Sequence, residues 1–173
     1  MDPRYPIGQY EPLPFSEKQK NDWLNDLKFL PTDVEMAIQN LDEYQLNTPY
    51  RNGGWMVKEV VHHVADSHMH AYARFKFGLT EDAPAIKPYD EAAWTLLNDV
   101  QTLPINISLT LLNALHQRWI AAIQPLDSKQ WMRTVMHPQH KNPLTLWFLL
   151  GMYVWHGKHH TAHITHLREE KNW

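Results

Sequence analysis

A chain of 173 residues is long enough to bury a sizeable core, and its 43% hydrophobic content excludes a disordered chain. The formal net charge of −3 gives no electrostatic case for nucleic acid or an anionic membrane surface. Cysteine is absent, which excludes disulfides and thiolate ligands and leaves His, Asp, Glu or water for any metal.

Pro3, Pro6, Pro12 and Pro14 prevent a regular helix over residues 1–14. This stretch reads as an extended arm that wraps either its own domain or a neighbour. Met1 to Phe15 has no apolar h-region and does not read as a signal peptide. The longest apolar run, Leu144 to Trp155, falls short of the roughly 20 residues of a membrane span. A single cytoplasmic domain over 1–173 is the expectation.

Ser16 with Gln19 three residues on is a capping box that starts a first helix, and Trp23, Leu24, Leu27 and Leu30 follow at helical spacing. Pro31 predicts a kink or a split. Thr32 with Glu35 offers a second capping box there, and Val34, Met36, Ile38 and Leu41 continue the apolar side. After the turn-rich Asn47–Gly54, a second helix runs from about Trp55 to Leu79, with Val57, Val60, Val61, Val64, Ala71 and Phe75 on one stripe. His63 lies beside that stripe, roughly 60° from Val60. His62 falls on the opposite side, and Glu59, Asp66 and His70 line the flank next to His63.

Residues 80–103 form a long connection with a short helical pattern through Trp94 and Leu97, and connections of that length are often functional. Pro104 suits the first turn of a third helix, whose apolar face carries Ile105, Leu109, Leu112, Leu115, Trp119, Ile123 and also His116. Residues 131–141 read as a short hairpin or loop. Asn142 as N-cap and Pro143 at the first position then open the last helix. The expected fold is all-α, a four-helix bundle with a short additional helix or hairpin in its connections.

The last helix carries the chemistry. Around His156, the residues His160, His163, Met152, Tyr153, Leu149 and Leu167 fall within roughly 60°, on the core-facing side. An unpartnered imidazole is costly to bury, so these rings either hydrogen-bond to neighbours as ordinary core histidines or hold a divalent metal. Twelve histidines supply about one pair four apart by chance. This chain has two, His156/His160 and His159/His163, of which His159 points to the flank with His166. A third ligand must come from another helix, where His63 and His116 are the core-facing candidates. Three neutral imidazoles with an open fourth position are how catalytic zinc is usually held.

The segment Gly54-Trp-Met-Val-Lys-Glu-Val-Val-His-His-Val-Ala-Asp-Ser-His68 resembles the second helix of the DinB/YfiT-like superfamily, in which a Trp precedes the first metal-binding His by eight residues. His156-Gly-Lys-His-His160-Thr-Ala-His-Ile164 is similar to the closing motif of that superfamily. Arg4-Tyr-Pro-Ile-Gly8, Pro88-Tyr-Asp-Glu91 with Trp94, and Leu115-His-Gln-Arg-Trp119 extend the match, in the same order, to the YfiT group. The resemblance implies an up-down-down-up bundle, usually a homodimer, with one divalent metal, zinc or nickel, on His63, His156 and His160. It implies a metal-dependent hydrolase acting on a small molecule; other superfamily members transfer or use low-molecular-weight thiols. The usual pattern has Gln where this chain has His163, which leaves open whether His163 orients a ligand or adds to the site.

A metal on three His lowers the pKa of bound water to about 7 and polarises a carbonyl. Gly157 and Lys158 after His156 exclude the His-Glu-x-x-His arrangement. Glu59, Asp66 and His116 remain as bases or as groups that orient ligands, each read equally as a solvated helix-face carboxylate or a satisfied core histidine. The alternative is thiol transfer, for which Arg74, Arg118, Lys158 and Arg168 supply cations to an anionic thiol. A third reading is a non-catalytic metal-binding bundle, which predicts no pocket beside the metal. The 8 Trp and 7 Tyr suit a lined pocket or a dimer seam as well as a core.

Overall fold

In the computed structural model, which describes residues 2–173, the elements in chain order are α1 (Glu17–Ile38), α2 (Glu43–Leu46), α3 (Val57–Thr80), α4 (Glu91–Thr95), α5 (Asn98–Thr102), α6 (Ile105–Ile123), α7 (Ser128–Trp131), β1 (Thr134–Val135), β2 (Leu144–Thr145) and α8 (Leu146–Lys171). The long helices α1, α3, α6 and α8 form a four-helix bundle in which α1 and α3 each pack on both α6 and α8. Side-chain pairs set the directions. His62 meets Ser108 and His68 meets His116, so α6 runs parallel to α3. Arg74 meets Tyr153 while His63 meets His156, so α8 runs antiparallel to α3. Leu27 meets His116, and Arg168 near the end of α8 meets Ala37 near the end of α1. The arrangement is up-down-down-up.

Parallel α3 and α6 explain the long connection, because the chain leaving Thr80 must travel back along α3 before α6 can begin. Arg74 Nη2 donates to the Lys87 carbonyl at 3.0 Å, Tyr89 stacks on His70 with centroids 4.3 Å apart, and Gln101 Nε2 donates to Glu59 Oε1 at 3.2 Å. Helices α4 and α5 lie on this return path.

Of the kink or split expected at Pro31, the split is not found: α1 is one continuous helix with Pro31 inside it. A proline removes one intrahelical bond, here to the Leu27 carbonyl, and that carbonyl accepts instead from His116 Nδ1 at 2.6 Å. Pro31 is buried, so its ring contributes packing. Ser16 is the N-cap, with its Oγ accepting from the Gln19 amide. Met36, assigned to the apolar side, is instead 63% exposed. The last helix begins three residues later than expected. Thr145, not Asn142, is the N-cap, with Oγ1 accepting from the Phe148 amide at 3.0 Å, because Leu144–Thr145 first pair with Thr134–Val135.

The N-terminal arm lies on its own bundle, along α8. Trp147 Nε1 donates to the Leu13 carbonyl at 2.7 Å, and Trp155 Nε1 donates to Gly8 at 3.2 Å. Tyr10 Oη donates to the Phe148 carbonyl at 3.2 Å. Met1, the first residue of the expected arm, lies outside the described residues.

The core is divided. One apolar cluster gathers Trp23, Phe75, Trp119, Trp131, Trp147 and Leu149. The other gathers Leu30, Val34, Val60, Val64, Leu112 and Ile164. Between them α3, α6 and α8 contribute a layer of buried imidazoles.

Candidate metal centre

His63 on α3 and His156 and His160 on α8 each present a ring nitrogen, and the three atoms lie within 4.8 Å of one another. His63 Nε2 is 3.2 Å from His156 Nε2. The spacing that puts His156 and His160 together is one helical turn, and Gly157 between them lets α8 close on α1, since a Cβ there would run into the Leu30 side chain. Trp55, just before α3 begins, packs its ring against His63 at a tilt of 50°, with centroids 4.5 Å apart. That contact gives a physical reason for the eight-residue spacing from Trp to His.

These rings are neutral at ordinary pH. Burial is the largest cause, and the neighbouring imidazoles add to it: His63 is brought down to about 4, and His156 and His160 fall well below the usual 6.5. A divalent cation therefore meets lone pairs and not protons. His156 Nδ1 is buried without a hydrogen-bond partner among the described residues. Convergent, neutral, under-satisfied imidazoles fit a divalent metal better than they fit a satisfied core.

A second group, His159, His160 and His163, also brings three ring nitrogens within 4.8 Å. It shares His160, whose Nδ1 is 3.4 Å from His163 Nδ1. His159 does not lie out on an exposed flank with His166. Trp155 of α8 stacks on it at 4.6 Å, Tyr5 of the arm lies at 6.0 Å, and only 7% of it is exposed. His163 stacks on Tyr50 at 3.9 Å.

The histidines open onto a cleft of about 510 Å3 whose walls include Arg51, Trp55, Arg74, Tyr89, Glu91 and Tyr153. Arg74 Nη1 donates to Tyr153 Oη at 2.6 Å. Tyr153 is buried, and desolvation outweighs the nearby guanidinium in raising its phenol. Glu91 is the one carboxylate lining the cleft among the described residues.

The three groups named from sequence as bases or orienting groups are not brought to this cleft. Glu59 closes the N-terminus of α3, accepting from the Met56 amide at 2.9 Å, and also takes Gln101. Asp66 is half-buried toward Asp99, and burial raises it to about 6. His116 sits behind His68, its Nε2 2.9 Å from His68 Nδ1. His62, assigned to the side away from the core, is buried with its Nδ1 2.7 Å from Ser108 Oγ, because α3 is covered on that side by α6. Of the cations named, Arg74 alone lines the cleft. Arg118 lies over Tyr72, Lys158 pairs with Asp26 at 2.6 Å, and Arg168 donates to the Ala37 and Gln39 carbonyls that end α1. Arg51, Tyr89 and Glu91 escape sequence reasoning as cleft residues because they reach it from connections and not from a periodic stripe. His68 is missed because on a stripe crowded with valine it has no signal of its own.

The family profile described as the DinB superfamily matches residues 26–164. A Bacillus subtilis (strain 168) protein named "Putative metal-dependent hydrolase YfiT" is 48% identical over 170 residues, 98% of this chain and 96% of its own. A Bacillus cereus (strain B4264) protein, also named a "Putative metal-dependent hydrolase", is 47% identical over 99% of both chains. The solved structure of YfiT from Bacillus subtilis, described as "a probable metal-dependent hydrolase with an unusual four-helix bundle topology", superposes with a TM-score of 0.97 over 100% of this chain and 99% of that one, at 47% identity. Fold, motif order and full-length similarity agree: the chain belongs to the DinB superfamily, within the group typified by YfiT.

Proposed function

We propose that this protein is a metal-dependent hydrolase of a small molecule, with a single divalent cation held by His63, His156 and His160. The observation that carries the reading is the convergence of three neutral imidazoles from two helices at the wall of an open cleft. Zinc is the first choice of metal and nickel the second, since imidazole suits both. The ion when bound supplies Lewis acidity and an acidified water.

The chain's own residues supply the rest. Arg74 fills one lone pair of Tyr153 Oη, which leaves the phenolic proton free to be donated to a substrate oxygen in the cleft. Glu91 takes the proton from the attacking water and returns it to the leaving group. Arg51 and Arg74 favour a substrate carrying negative charge. Trp55 and Tyr89 give it apolar walls. A cytoplasmic homodimer of one domain per chain completes the proposal; no helix among the described residues is long and apolar enough to cross a membrane.

Two arginines at the cleft also suit an anionic thiol, which is the observation favouring transfer to a thiol as the second reading. A purely metal-storing bundle has no use for the cleft. The deciding experiment incubates the metal-loaded and chelator-stripped protein with a panel of esters and amides, and in parallel with a thiol and an electrophile. Metal-dependent release of acid and alcohol or amine supports hydrolysis. Turnover only when thiol is present rejects it in favour of transfer.

A further inference from the structure

The bonding of His116 and His68 specifies which nitrogen of each of these two rings carries its proton, and the specification begins at Pro31. Because proline has no N–H, the carbonyl four residues earlier, Leu27 O, lacks its helical donor. A carbonyl can only accept. The 2.6 Å contact between it and His116 Nδ1 therefore places a proton on His116 Nδ1. A neutral imidazole has one N–H, so His116 Nε2 is a bare lone pair. His68 Nδ1, 2.9 Å from that lone pair, must be the donor, and His68 Nε2 is bare in turn. Burial keeps both rings neutral, since His68 is 0% and His116 1% exposed.

The chain of donors then reaches an open end. His68 Nε2 is a buried acceptor with no partner among the described residues, and His156 Nδ1 is a buried nitrogen with none either. The two rings are neighbours, with centroids 5.7 Å apart. Leaving both atoms unpaired costs free energy that a single hydrogen bond between them removes.

We propose that His68 and His116 are positioning residues that fix the tautomer of His156. The relay runs from His156 Nδ1–H to His68 Nε2, from His68 Nδ1–H to His116 Nε2, and from His116 Nδ1–H to the Leu27 carbonyl. It leaves His156 Nε2 unprotonated, and this is the atom that lies 3.2 Å from His63 Nε2. Metal-ligating histidines usually pass their second N–H directly to a carboxylate, carbonyl or water. Here a backbone carbonyl freed by a proline does the same work through two intervening imidazoles. This inference rests on His156 being a metal ligand.

The test has a metal-free arm and a metal arm. Long-range proton–nitrogen correlation on 15N-labelled, chelator-treated wild-type protein reads each tautomer directly; the expected result is Nδ1–H on His156, His68 and His116. His156 protonated on Nε2 overturns the relay. In the second arm, zinc affinity is measured by competition with a chromogenic chelator for His68→Leu and His68→Gln, with thermal melts to check folding. The Gln side chain keeps one acceptor and one donor, so it holds affinity within a few-fold of wild type, whereas Leu weakens it about 10–100-fold. A merely space-filling role predicts the reverse order, and zinc bound equally by His68→Leu and wild type overturns the proposal. Wild-type protein that binds no zinc rejects the proposed metal centre, and the relay is then judged on the tautomers alone. If His68→Leu does not fold, the wild-type spectra decide.

Discussion

His63 Nε2 and His156 Nε2 lie 3.2 Å apart, although their residues are 93 positions apart in the chain and sit on antiparallel helices. In the metal-free protein one of the two must donate a proton to the other. A cation takes the place of that proton, and His160 adds its nitrogen within the same 4.8 Å. Substituting His63, His156 or His160 by Ala is expected to abolish stoichiometric metal binding. The controls His62→Ala and His159→Ala keep one metal per chain, because neither ring belongs to the triad. Metal analysis after dialysis checks this. Retention by any of the first three, or loss by His62→Ala, rejects the assignment.

A metal held only by the folded state also stabilises it. At a free concentration 100 times the dissociation constant the gain is about 2.7 kcal/mol. The wild-type protein is expected to melt several degrees higher with zinc than with chelator, and His156→Ala is expected to melt at the same temperature in both. A zinc-dependent rise that survives in His156→Ala places the stabilising ion somewhere else.

Burial holds His63, His116, His159 and His163 at about 4, against the usual 6.5 of an exposed ring. As the folded value is the lower one, the unfolded chain takes up protons first when the pH falls. This contribution to stability is complete above about 6.5 and is lost as the pH drops toward 4. Asp66 works in the opposite sense. Burial raises it to about 6, so the folded state gains from its protonation over part of the same range. Burial raises Asp33 in the same sense, and two carboxyls do not offset several imidazoles. The metal-free protein should therefore melt at a markedly lower temperature at pH 5 than at pH 7. A melting temperature that holds or rises between those two values contradicts a neutral buried cluster.

Gly157 stands between two proposed ligands, against the Leu30 side chain of α1. Gly157→Ala forces that leucine or the helix to move and is expected to cost about 1–3 kcal/mol, as overpacking does. Because the cost comes from one contact, Gly157→Ala combined with Leu30→Ala should be less destabilised than the sum of the two single variants. Chemical denaturation of the four proteins gives the coupling. Strict additivity shows that the glycine is there for some other reason.

The bundle is legible in the sequence because four apolar stripes at helical spacing leave no other way to bury them. The pairing of His63 with α8 is not legible from spacing, which treats His63 and His116 alike; only the Trp55 motif separates them. The split considered at Pro31 is not made, since a rule about broken helices takes no account of a histidine on α6 waiting for the freed Leu27 carbonyl. The cleft walls are the least legible part. Tyr89 and Glu91 arrive there because the connection must run back along α3, and that course is decided by parallel packing of α3 and α6 and not by any local pattern. For the same reason Glu59 and Asp66 look suitable on a helical wheel, while in the fold one is tied to the Met56 amide and the other turns toward Asp99.

Tyr153 offers the sharpest separation of chemistry from structure. Its hydroxyl is fixed by Arg74 at 2.6 Å, and its ring packs with centroids 6.4 Å from His156. Tyr153→Phe removes a donor while keeping the ring, so metal content and substrate binding should stay near wild type. If the phenol stabilises charge that develops on a substrate oxygen, kcat on whichever ester or amide is turned over falls about 10²-fold with KM little changed. Glu91→Gln, tested beside it, removes the only cleft carboxylate among the described residues. It should also lower kcat, by about 10²–10⁴-fold. A Tyr153→Phe protein with unchanged kcat and raised KM would make the phenol a binding group, and Glu91→Gln with an unchanged kcat would send the search for the base elsewhere along the cleft.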